Sequence, residues 1–406
     1  MANINDYLDW RGDISFSELP PCEADALIFA LLSYINFDGI VPSGKEGISV
    51  REAVDAYVEK YPTPKDRYLG LIIIPEISEL LIRLPASPRY ADVRIFGYVN
   101  EVCERCEMQF SAVSFELGDN VTVVAFRGTD DNIVGWKEDF HLSFREEVPS
   151  HTRAVEYLAA HVPTRKTQLY VAGHSKGGHL AVWGAVHSQK KIRDRIVKVY
   201  SLDGPGFLPQ VIASEQYREM SDRITTLVPQ SSLVGLLLDN DRSFQIVKSR
   251  KSGLLQHNPM LWEVMGGGFV RLPQLSAQGV KNDTVLREKI AALTPEEREQ
   301  FTEVIFDILS ATGAKTLSEL NESKIKNAIT VIKMVNELDR ETRDAVGLLF
   351  AAMLNLDVGK KGKEKREPQE NGKATRGELD VTFFPLVAEA LKRDPVDKKQ
   401  KGKETK

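Results

Sequence analysis

The rhythm of hydrophobic and polar positions changes twice along the chain. Residues 1–90 read as mainly helical. EADALIFALLSYINF offers an amphipathic helix beginning near Glu23, and SVREAVDAYVEKY offers another that Ser49 can cap through its side-chain oxygen. From about residue 93 to 250, short apolar runs alternate with stretches of helical spacing. MQFSAVSFEL, VTVVAFRG, LYVAG, IVKVYSLDG, RITTLVP and SFQIVKS read as strands, with HTRAVEYLAAHV and the segment after Ser175 as helices between them. That alternation predicts an α/β fold, a mostly parallel sheet with helices on both faces. From about residue 284 the spacing is helical again. Thr294-Pro295-Glu296-Glu297 forms a capping box with Pro at the first helical position and leads into FTEVIFDIL, which Gly313 can stop. ESKIKNAITVIKMVNEL and RDAVGLLFAAML would complete a small bundle.

The expected organisation is an N-terminal helical region over 1–90 packed on the core, an α/β core over 91–283 and a C-terminal helical segment over 284–358. A charged linker follows over 359–376, with a short helix and a disordered tail over 377–406. The linker, GKKGKEKREPQENGKATRG, cannot bury enough apolar area to offset its ordering entropy. Beyond it, VTFFPLVAEALKR reads as a short docking helix, and any protein partner of the charged tail is unknown from sequence.

Composition narrows the function classes. A chain of 406 residues has room for one α/β core with appended segments, and 42% hydrophobic with 27% charged residues is ordinary for a globular protein. The net charge of -5 gives no footprint for nucleic acid, so partners are sought in a pocket. The N-terminal MANINDYLDWRGDISF has no basic region followed by an apolar one, and no apolar run reaches bilayer length; the expected location is the cytoplasm, with no transmembrane segment. Three cysteines, Cys22, Cys103 and Cys106, are too few for a disulfide framework, which fits a reducing compartment. The Cys103-x-x-Cys106 spacing reads as incidental to a loop rather than as a metal or redox site.

The chemistry centres on LYVAGHSKGGHLAVW, residues 169–183, where an apolar strand turns sharply into a helix at Ser175. A nucleophilic serine needs such an elbow in order to protrude, and the small Gly173 and Gly177 let the backbone turn tightly. The helix after it aims N–H groups at the place where negative charge develops in acyl transfer, so the Lys176 N–H is a candidate oxyanion donor. The Lys176 side chain reads as facing solvent or substrate. A second donor is expected from Gly128-Thr129 at the end of VTVVAFRG.

The series FRGT, then Trp136-Lys137-Glu138-Asp139, then GHSKGG resembles the class 3, fungal-type lipases over about residues 92–262. The resemblance implies an α/β-hydrolase fold and an oxyanion-hole role for Thr129. In α/β-hydrolases the chain order is nucleophile, acid, histidine, which singles out His257 in SGLLQHNPMLW as the base. His174, His179 and His187 read as packing or surface residues, and His141, His151 and His161 precede the nucleophile. At the strand where class 3 lipases carry the acid, RITTLVPQSSLVG has Ser231 and Ser232 instead. One strand earlier, VYSLDGPGF places Asp203 at a strand end, resembling the element that carries the acid in pancreatic-type lipases. Asp203 is favoured, with Asp239 and Asp241 as alternatives and a turn-forming Asp-Gly as the bland reading. Residues 1–262 also resemble a bacterial lipase-like family of unknown function, through DYLDWRGDISFSELPPCEADALIFALLSY, GYVNEVCERCEMQFSAVSFEL, DGPGF and VPQSSLVGLLL.

These readings converge on a serine hydrolase acting on lipid or small-molecule carboxylic esters through a Ser175-His257-Asp203 triad and an acyl-enzyme, without cofactor or metal. Amide hydrolysis or acyl transfer to another acceptor would use the same groups. The rival from another class is a hydrolase-fold binding or scaffold protein with weak or lost turnover.

Overall fold

A computed structural model of the chain describes residues 1–343 apart from 71–72, 119, 163–166, 241–243 and 340–341. RDAVGLLFAAML beyond its first residue, Arg343, the linker, VTFFPLVAEALKR and the tail lie outside the described residues, as does Asp241. The chain divides into two compact units, Met1–Glu299 and a second beginning at Gln300.

The first unit is built on β1 (Ile48–Ser49), β2 (Arg94–Cys103), β3 (Met108–Gly118), β4 (Val121–Phe126), β5 (Gln168–His174), β6 (Ile196–Leu202), β7 (Ile224–Pro229) and β8 (Gln245–Val247). After a small hairpin of β9 (Val264–Met265) and β10 (Gly268–Phe269), β11 (Arg271–Leu272) pairs beside β8 and closes a nine-stranded sheet in chain order. Strands β4 to β8 run parallel, while β1 to β4 are antiparallel neighbours and β11 runs against β8. Strand β2 is not among those the apolar pattern predicts. Gly97 (φ 66°) lies within it at a register shift between Phe96 and Val99, which breaks the alternation that would reveal the strand.

Parallel strands added in one direction by right-handed crossovers bring their connecting helices to a single face. Helices α6 (Pro149–His161) and α7 (Lys176–His187) occupy that face. Leu158, Leu180 and Val186 pack there with Val124, Phe126, Val171 and Val199. The alternate residues, Val113, Phe115, Val123, Ala125 and Ala172, point the other way and are covered by the N-terminal region. That region contains α1 (Ile4–Arg11), α2 (Glu23–Leu32), α3 (Val50–Lys60) and α4 (Glu76–Arg83).

Helix α2 departs from the amphipathic expectation. Ala24 through Leu32 are all buried, so α2 is an interior helix and not an amphipathic surface one. It lies directly against the sheet, with α1 and α4 packed on it in turn. Its single inward charge, Asp25, is fully satisfied. The Arg89 guanidinium grips both carboxylate oxygens at 2.9 and 2.7 Å, and the Tyr7 and Tyr90 hydroxyls donate to Oδ1. The Cys22 N–H donates to Oδ2.

Other local expectations take concrete form. Ser49 caps α3 reciprocally with Glu52, and Thr294 and Glu297 do the same at the start of the helix Pro295–Ser310. In the second unit the helices Leu317–Glu322 and Lys324–Glu337 bury Leu317, Leu320, Val331 and Val335 at helical spacing. At the tip of the β2–β3 hairpin, Cys103 and Cys106 are joined by a disulfide, which departs from the reading of their spacing as incidental. The tight turn brings their Cα atoms to 5.2 Å. Among the described residues no helix is long and apolar enough to cross a membrane.

Candidate active site

Ser175 stands between β5 and α7 with φ 59° and ψ −135°, a backbone conformation that side-chain-bearing residues adopt only when their surroundings impose it. What imposes it is close packing. A Cβ on Gly173 would run into the Gly177 carbonyl, and one on Gly177 would run into the Phe126 carbonyl of β4. His174 and Lys176 are buried while Ser175 between them is half-exposed, so the turn presents the serine alone. Its N–H donates to the Leu202 carbonyl at 3.0 Å, which pins the elbow to the end of β6.

That strand end carries Asp203, also at positive φ (52°) and buried. Its Oδ2 lies 2.7 Å from His257 Nδ1. Its Oδ1 accepts from the Ser232 hydroxyl at 2.6 Å and from the Gly235 N–H at 3.1 Å. Of the two serines just past the end of β7, Ser232 thus supports the carboxylate one strand away. Ser231 acts on the histidine side: its N–H donates to Gln256 Oε1 at 2.8 Å, while the buried Trp262 indole donates to the Gln256 carbonyl at 2.8 Å. These bonds fix the short helical turn Gly253–His257. Asp239 is placed differently, its backbone paired with Phe207.

At the end of β4, Thr129 is buried and its hydroxyl donates to Asp139 Oδ2 at 2.5 Å. A hydroxyl has one proton, so in this arrangement the Thr129 group free to meet an oxyanion is its backbone N–H. Burial pushes the Asp139 carboxyl up to about 6, an effect that Lys176 and the Thr129 hydroxyl partly offset.

The Lys176 side chain does not face solvent or substrate as expected. It runs inward beneath the elbow, and its ammonium meets the Gln109 carbonyl at 2.9 Å, Gln109 Oε1 at 3.0 Å and Glu138 Oε2 at 3.0 Å. Three donors find three acceptors. Glu138 in turn accepts from the Gln109 N–H and from the N–H and hydroxyl of Ser150. Helix α5 (Ile133–His141) therefore presents adjacent carboxylates in two directions, Glu138 to Lys176 and Asp139 to Thr129. The W-x-x-D element marks this helix in the sequence, but nothing in the spacing identifies Glu138 as the counter-charge of a residue 38 positions away.

The flanking histidines are packed, as their residue types alone suggest, but with definite partners. His179 Nδ1 faces the Gly206 carbonyl at 2.9 Å, and its Nε2 lies 2.7 Å from His151 Nε2. A carbonyl only accepts, so His179 is protonated on Nδ1 and His151 donates between the rings. Burial holds His179 near 4 and His151 well below its ordinary range, keeping both neutral.

None of the curated proteins matches the chain. A crystal structure of M37 lipase is similar at 15% sequence identity, with a TM-score of 0.32, over 66% of this chain and 92% of that one. The family model Mbeg1-like matches residues 84–307, more than half of the chain and the whole span from Gly128 to His257, and the protein belongs to the Mbeg1-like family.

Proposed function

We propose that the protein is a serine-dependent carboxylic ester hydrolase in which Ser175 is the nucleophile, His257 the general base and Asp203 the residue that orients it. The observation that carries this reading is the 2.7 Å contact between His257 Nδ1 and a buried carboxylate at the strand end bonded to the serine elbow. Held through Nδ1, the imidazole keeps Nε2 free to take the Ser175 proton as the hydroxyl attacks an acyl carbon and later to return it to the leaving alcohol. The N–H groups of Thr129 and Lys176 receive the developing oxyanion, and the N-terminus of α7 adds its dipole. Water then resolves the acyl-enzyme. Lipid or small acyl esters fit this chemistry, and no step calls for a cofactor.

The test is labelling by a fluorophosphonate probe, which reports an activated serine whatever the physiological ester. Wild-type protein should label and Ser175→Ala should not, while both unfold at the same temperature. Absence of labelling in the wild type would sink the reading in favour of a scaffold.

A further inference from the structure

The N-terminal region shows no chemistry in its sequence, yet it reaches the candidate site through one side chain. Tyr34 lies just past the end of α2, is buried, and places its hydroxyl 3.0 Å from His174 Nδ1. On the far side of that ring, His174 Nε2 lies 2.8 Å from the His257 backbone carbonyl. The directions of these bonds follow from their partners. A carbonyl only accepts, so His174 donates from Nε2, its Nδ1 is the acceptor, and the Tyr34 hydroxyl donates to it. The Tyr34 hydroxyl lies tightly against Gly128 at the end of β4, where a Cβ would leave it no room. The His174 and His257 rings also lie against each other, with centroids 4.5 Å apart.

We infer that Tyr34 and His174 are positioning residues: with Tyr34 seated against Gly128, the relay Tyr34 O–H to His174 and His174 N–H to the His257 carbonyl sets the loop carrying the base against the strand end carrying the oxyanion hole. Asp203 fixes the His257 ring through Nδ1 but does not fix where its backbone sits. Gln256 anchors the preceding residue, and the His257 carbonyl is the anchor nearest the imidazole. Burial and the neighbouring His257 keep His174 well below its usual range, so the ring stays neutral with one donor and one acceptor, as the relay requires. The inference rests on the hydrolase reading for its catalytic consequence, though not for the hydrogen bonds themselves.

Two readouts on the full chain separate the two claims. The first is the rate of fluorophosphonate labelling at saturating probe. Tyr34→Phe and His174→Leu should slow it by about a hundredfold, the cost of a misplaced base, with the half-saturating probe concentration unchanged. His174→Gln, which retains a donor where Nε2 stood, should recover most of the rate. The second is the low-field proton resonance of His257 Nδ1–H, which depends on the bond to Asp203 and needs no turnover. It should broaden or vanish in Tyr34→Phe and His174→Leu and persist in His174→Gln. A wild type that does not label, with the resonance still responding to these variants, would overturn the hydrolase reading and leave the relay standing. Labelling within about threefold of wild type in both Tyr34→Phe and His174→Leu, with the resonance intact, would overturn the relay.

Discussion

At the scale of single residues, the identity of the acid is the sharpest question, and the pairing of Asp203 with His257 was partly legible in the sequence. Asp203 ends a strand before a Gly-Pro turn, and chain order left His257 as the candidate base, so both partners could be named without coordinates. What supports the carboxylate could not be, because Ser232 meets it only where two parallel strands end together. If Asp203 orients His257, Asp203→Asn should lower ester turnover by up to about ten-thousandfold, because the amide favours the wrong imidazole tautomer, while the fold survives. Ser232→Ala removes one of two donors to Oδ1 and should cost about tenfold, or roughly 1.4 kcal/mol in the barrier. Asp239→Asn should be nearly silent. Steady-state kinetics on a soluble ester distinguishes all three, and a large effect at Asp239 would move the acid there. Asp139 provides a separate test with a defined sign. Its folded value near 6 lies above the ordinary 3.8. Between those values the folded protein holds a proton that the unfolded chain has released, so stability falls as pH rises through that window and stays lower above it. The penalty is at most about 3 kcal/mol at neutral pH. Asp139→Asn escapes it, so the variant's melting temperature should gain on wild type as the solution is taken from acid to neutral pH. A pH-independent difference would show that the carboxyl titrates normally.

Among the elements, the helices and parallel strands were legible because each is specified by its own period of apolar residues and its own caps. The contacts between elements were not. Lys176 shows why: a lysine at the start of a helix is ordinarily solvated, and only β3 and α5, brought in from elsewhere in the chain, turn it into a buried ion pair. Such pairs contribute little net stability when intact, but breaking one side strands a charge. Lys176→Met should therefore destabilise the protein by about 3–5 kcal/mol, read as a lower urea midpoint with an unchanged slope. Adding Glu138→Gln should recover a substantial part of that loss, since the uncompensated carboxylate is then gone. If the double variant is as unstable as the single one, Lys176 matters through the volume of its stem and not through its charge.

For the molecule as a whole, the order of the strands assigns the N-terminal region its place. Sequence periodicity showed helices before the sheet and could treat them as an addition to the core, because topology is not written in the spacing of any one segment. With β4 to β8 added in one direction, the crossover helices α6 and α7 pack together on one face, and the other face is closed by residues that precede the sheet. Leu27, Ile28, Phe29, Leu31 and Leu32 are each fully buried there. Their burial is worth on the order of 10 kcal/mol together. That is comparable with the entire stability of an ordinary domain, about 5–15 kcal/mol. Deleting residues 1–45 should therefore not yield a smaller folded core. It should yield a chain that fails to fold cooperatively, binds a hydrophobic dye and loses near-ultraviolet circular dichroism. Asp25→Ala, which keeps the helix but leaves Arg89 buried without its carboxylate, should instead fold and melt cooperatively at a lower temperature, about 3–5 kcal/mol less stable. A deletion product with a sharp unfolding transition would show that the sheet closes this face without α2, and would return the N-terminal helices to the status of an accessory layer.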